Sequence, residues 1–173
     1  MRIASPLALL GFAAAPLSAA WAAPEITVTV EIPQLSVAEY HRPYVAIWVE
    51  RPDQSAAANL SVWYDVGMRN REGEKWLKDM RQWWRRTGRT LQMPIDGVTG
   101  ATRAPGRHTV RFDARGPLSS LEPGQYNLVV EAAREVGGRE LLRVPFQWPP
   151  SAPQNGSAQG SHELGAFTVQ VTP

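Results

Sequence analysis

The residues best suited to chemistry lie in one short stretch, Asp96-Gly97-Val98-Thr99-Gly100-Ala101-Thr102. Two glycines stand among small side chains, so the backbone is thin and can take torsions closed to other residues. A carboxylate opens the stretch, and a hydroxyl nucleophile, Thr102, closes it. Such a segment can be gripped in the cleft of another enzyme, which bulky side chains would prevent. An ordinary glycine turn with an aspartate cap has the same composition, and the residues alone leave both readings open.

Little else in the chain has the spacing of a reactive site. His41, His108 and His162 stand at no metal-ligand interval from one another. There is no cysteine, which excludes thiolate metal sites, iron–sulfur clusters and c-type haem attachment. No Gly-x-Ser-x-Gly elbow and no paired-carboxylate motif is present. Glu31, Asp65, Asp79 and Glu131 are scattered and expected on strand or helix surfaces. The formal net charge is +2, with the basic residues concentrated between Arg69 and Arg89. A charge that small gives no strong drive toward nucleic acid.

The elements that must position the motif read mostly as strands. Ile26 to Ile32 alternates apolar and polar residues, the mark of a half-buried strand. Tyr44 to Glu50, Leu60 to Val66, Arg107 to Asp113, Gln125 to Ala132, Leu141 to Gln147 and Leu164 to Val171 also read as extended. Arg51-Pro52-Asp53-Gln54, Pro123-Gly124 and Gly137-Gly138 are turn signals. About seven short strands predict an all-β antiparallel sandwich of immunoglobulin-like type. One segment has a different period. Trp76, Leu77, Met80, Trp83 and Trp84 fall on one face of a helix, so a single amphipathic helix is expected as an insertion near residues 73–88, stopped by Gly88. Residues 149–162, rich in Pro, Ser, Gln and Gly, are expected to form a mobile loop.

The N-terminus has the pattern of an export signal. Arg2 precedes the apolar run Leu7 to Ala15, and Ala20-Trp21-Ala22 is a small-x-small exit. The run falls short of the roughly 20 apolar residues that span a bilayer. Residues 1–22 are therefore expected to be a cleavable signal peptide, and residues 23–173 a single exported β-sandwich domain without a membrane span. An uncleaved anchor is the alternative.

The motif resembles the acceptor sequence of FAD:protein FMN transferases, which runs Asp, Gly, any residue, Ser or Thr, Gly, Ala, Thr. Every specified position is matched, a coincidence on the order of once in tens of thousands of chains of this length. The wider chain resembles a family of predicted periplasmic proteins, domain of unknown function 2271. That resemblance rests on Arg42 to Glu50, the tryptophan-rich helix with Trp83, Asp96 to Thr102, Gly124-Gln125-Tyr126, and Val130 to Glu135.

The resemblance implies FMN joined covalently to Thr102 through a phosphoester, with Asp96, Gly97, Thr99, Gly100 and Ala101 as the frame that the transferase recognises. It implies a periplasmic electron-transfer flavoprotein, with the transferase as a transient partner and a membrane or periplasmic redox partner. A non-redox binding module and a flavin-dependent reductase are the alternatives. Candidate ring partners are the tryptophans. Trp83 and Trp84, nearest the motif, are expected to reach the ring; Trp48 and Trp76 are expected in the core. Arg103 and Arg107 could pair with a phosphodiester, but surface charge is the reading preferred for them.

Overall fold

The computed structural model describes residues 23–173. The expected signal peptide, residues 1–22, lies outside the described residues. Among the described residues, nine strands form two sheets: β1 Glu25–Ile32, β2 Tyr44–Glu50, β3 Ala56–Tyr64, β4 Thr99–Ala101, β5 Gly106–Asp113, β6 Gly124–Ala133, β7 Arg139–Trp148, β8 Gln154–Gln159 and β9 Ala166–Thr172. One sheet has the order β5-β1-β9-β8 and the other β4-β3-β2-β6-β7. Every pairing is antiparallel except the short parallel ladder between β3 and β4. The expected all-β sandwich is therefore the observed fold.

Strand patterning explains the layers. In β1 the residues Ile26, Val28, Val30 and Ile32 point inward, while Thr27, Thr29 and Glu31 are only half-buried. They meet Val45, Ile47, Leu128 and Val130 of the facing sheet, with Phe167 and Val169 of β9 beside them. The opposite side of the five-stranded sheet is also covered. Ala46, Trp48, Val62, Tyr64 and Val129 pack there under Leu77, Met80 and Trp83. A strand buried on both faces reads as a continuous apolar run, which is why Tyr44 to Val49 does not alternate.

The helical insertion is not the single helix that its period suggested. A 3-10 segment covers Arg69–Asp79, with Asn70 and Arg71 left-handed, and a separate helix α1 covers Arg81–Arg86. The backbone breaks between them at Met80 (φ −76°, ψ 74°). In a 3-10 segment residues three apart eclipse. Leu77 and Met80 form one such row and are buried. Gly73, Trp76 and Asp79 form the next, and Trp76 is 45% exposed rather than in the core as expected. Trp48 is fully buried, as expected.

The expected mobile loop at 149–162 contains β8, which pairs along its length with β9. Its polar composition suits an edge strand with Asn155, Ser157 and Gln159 facing water. Its small residues suit close approach: a Cβ at Gly156 would lie 2.3 Å from Cγ1 of Val144 on β7. The Gln154 amide completes the junction, accepting from Gln147 N at 2.8 Å and donating to Gln147 O at 2.9 Å.

Candidate functional site

The motif is a closed turn followed by an edge strand. Ile95 N donates to Thr99 Oγ1 at 2.8 Å, and Thr99 N donates back to Ile95 O at 2.9 Å. The Thr99 hydroxyl is thus committed to holding the turn. Gly97 has φ +73° with open space around it, so torsion and not crowding calls for glycine there. Val98 anchors the turn in the outer apolar cluster, while Asp96 and Gly97 remain exposed. Beyond it, β4 runs parallel to β3, pairing Val62 with Thr99, Trp63 with Gly100 and Tyr64 with Ala101. Thr102 N donates to Tyr64 O at 3.2 Å, which fixes the backbone of the last motif residue. The Trp63 ring lies under Gly100, where a Cβ would come within 3.3 Å of it.

Thr102 and Ala101 open onto a cavity of about 580 Å³, inside the range of small-molecule sites. It sits at the end of the five-stranded sheet where β2 begins and β3, β4 and β6 finish. Tyr40 and Tyr44 come from the approach to β2 and its first residue, Val66 and Met68 from the turn after β3, and Trp76 from the 3-10 segment. His41 and Arg42 bring positive or hydrogen-bonding groups; Asp65, Asp79 and Glu135 bring carboxylates. His41 is held from both sides, Nε2 at 2.8 Å from Glu39 and Nδ1 at 3.5 Å from Glu135.

Burial raises the phenol of Tyr40 above its usual range, partly offset by the Arg134 guanidinium and reinforced by Glu163. Burial raises Tyr44 as well, against the hydrogen bond with the Asp65 backbone. Both therefore stay protonated and neutral at any ordinary pH. Gly73 lets the 3-10 segment pass this close, because a Cβ there would lie 2.0 Å from the Asp65 carbonyl oxygen.

The structure separates residues that the sequence placed together. Trp83 and Trp84, expected at the ring site, do not line the cavity with Thr102. Trp83 is fully buried beneath α1, its Nε1 donating to Asn59 Oδ1 at 2.8 Å and its ring packed on Gly88. Trp84 is half-buried beside it, ring centroids 6.3 Å apart. Arg103 turns to the other side of β4. Its guanidinium stacks 4.1 Å above the centroid of the buried Trp63 ring, over a second, shallower depression that includes Gly97 to Gly100. Arg107 is exposed on β5, as the surface-charge reading had it.

Glu131, expected on a surface, is fully buried. Its carboxylate accepts from Gln82 N at 3.0 Å, Trp83 N at 2.7 Å and Arg139 Nη1 at 2.9 Å. It satisfies the free N–H groups that start α1, a task a local N-cap would otherwise perform. Sequence reasoning also missed Tyr40, His41, Arg42, Tyr44 and Met68 as neighbours of Thr102. The one available signal was that Arg42-Pro43-Tyr44 opens a segment carrying the family resemblance.

No helix among the described residues is long and apolar enough to cross a membrane. Compared with curated proteins and with solved structures, the chain has no match. The family described as predicted periplasmic protein (DUF2271) matches residues 25–166, all but the ends of the chain. On that match the chain belongs to the DUF2271 family of predicted periplasmic proteins.

Proposed function

We propose that this protein is a periplasmic electron-transfer flavoprotein, exported by a signal peptide cleaved after Ala22, that carries FMN on Thr102 through a phosphoester. The observation that carries the reading is the position of Thr102: it ends a complete acceptor motif and lines a cavity together with Tyr40, Tyr44 and Trp76. Modification by an FAD:protein FMN transferase forms a bond from Thr102 Oγ1 to the FMN phosphorus of FAD. The pyrophosphate linkage breaks, AMP leaves with the bonding electron pair, and the hydroxyl proton is released.

The chain's own residues suit that role. Asp96, Gly97 and Ala101 are exposed for an enzyme to grip, while Thr99 and the ladder to β3 keep the loop in one shape. Arg42 can neutralise a phosphodiester at the cavity, and His41 stands beside it as a hydrogen-bonding group. FMN, when bound, supplies reversible transfer of one or two electrons; the protein orients the ring and sets its surroundings. A covalent tether keeps the cofactor at high local concentration where a dissociable one would be diluted away.

The test is the intact mass of the protein exported from cells that also express an active transferase. The wild type is expected to gain the mass of one FMN less one water, and Thr102→Val to gain nothing. If both emerge unmodified, residues 96–102 are an ordinary turn, and the cavity belongs to a binding module without redox chemistry.

A further inference from the structure

The cavity beside Thr102 has a wall that water does not explain. Trp76 is 45% exposed, Val66 49% and Met68 39%, and all three line this one cavity. Only Val37 and Val136 are comparably exposed large apolar residues among the described residues. Contiguous exposed apolar surface marks a place that something covers. The wall is also built rather than accidental. The 3-10 period places Trp76 and Asp79 in one row beside the buried row of Leu77 and Met80. Gly73, in the row of Trp76, brings that row hard against Asp65. Lys78 Nζ stands 6.0 Å from the Trp76 ring centroid, at the limit of a cation–π contact.

We infer that this wall is the seat of the flavin ring: tethered at Thr102, the isoalloxazine lies against Trp76, Met68 and Val66, with Tyr40 and Tyr44 behind it. The inference rests on the flavin reading above and names the residues that reading requires. A flat heteroaromatic ring gains most from stacking on an indole, and Trp76 is the one tryptophan among the described residues that lines the cavity. A flavin joined to Thr102 would have its phosphate end held beside the same cavity. Three carboxylates, Asp65, Asp79 and Glu135, line the seat against the one guanidinium of Arg42, with His41 beside Glu135, and that excess of negative charge opposes adding electrons to the ring. The seat therefore holds a flavin of lowered potential, and one whose excited state is quenched by electron donation from the adjacent indole.

The experiment uses the full chain, flavinylated by co-expressed transferase, as wild type, Trp76→Leu, Trp76→Tyr and Trp84→Leu. Mass, far-ultraviolet circular dichroism, flavin fluorescence yield and midpoint potential are read on each. All four are expected to carry one FMN and to fold alike. Fluorescence is expected to rise severalfold in Trp76→Leu, less in Trp76→Tyr, and not at all in Trp84→Leu; in a fifth protein prepared the same way, Asp79→Asn, the potential is expected to rise. Equal loading with equal fluorescence in wild type and Trp76→Leu overturns the seat while leaving the tether intact. Self-association abolished by Trp76→Leu, with fluorescence unchanged, overturns it in favour of a second copy on the wall. Absence of FMN from every variant, beside a control acceptor that is loaded, removes the tether and the seat together.

Discussion

Trp83, on α1, and Trp76, on the 3-10 segment that precedes it, have opposite surroundings. Trp83 is enclosed on every side: Asn59 takes its indole N–H, Gly88 takes its ring face, and Glu131 takes its backbone N–H. Trp76 leaves nearly half its surface open over the cavity that Thr102 lines. One half of the insertion bolts the segment to the sheet, and the other half presents a surface. The break at Met80 makes the division possible, because it lets two different helical periods meet the same sheet. A single α-helix would have turned both tryptophans inward.

The contrast can be broken from the bolted side. Trp83→Ala removes a fully buried indole and is expected to cost about 3–5 kcal/mol of stability, measured by denaturant unfolding. Glu131→Gln is expected to cost about 1.5–3 kcal/mol, because three donors converge on the site and an amide has only one acceptor oxygen. The backbone N–H groups of Gln82 and Trp83 set that cost more than Arg139 does, since the Arg139 side chain is 41% exposed and screened by water. From the open side, Trp76→Leu is expected to change stability by less than about 0.5 kcal/mol. A loss as large as that of Trp83→Ala would show that Trp76 is a core residue and erase the distinction.

The sequence carried much of the fold because the strands of a sandwich announce themselves by alternation. Ile26 to Ile32 and Phe167 to Val171 are legible for that reason. β8 was not, because Gln154 to Gln159 has no apolar residue larger than alanine; its place comes from Gly156 fitting against Val144 and from pairing with β9. The insertion was legible as helical but not as two periods, since Trp76 fits an α-helical stripe as well as it fits a 3-10 row. At the site, the motif stood out and its neighbours did not. Tyr40 to Tyr44 and Trp76 line one cavity with Thr102 only because β2 starts, β3 and β4 finish and the 3-10 segment passes at the same end of the sheet, which is a property of topology. Glu131 was illegible for a related reason: a carboxylate in a strand looks solvated until the helix it caps is known.

The strand that leads to Thr102, β4, lies at one edge of its sheet and is only three residues long. Long flat edges recruit further strands and seed polymers, and short ones do not. β4 is long enough, with the bond from Thr102 N to Tyr64 O beyond it, to hold the Thr102 backbone beside β3, yet too brief to template another copy of the chain. An edge left open to solvent is thereby kept from sticking to its own kind.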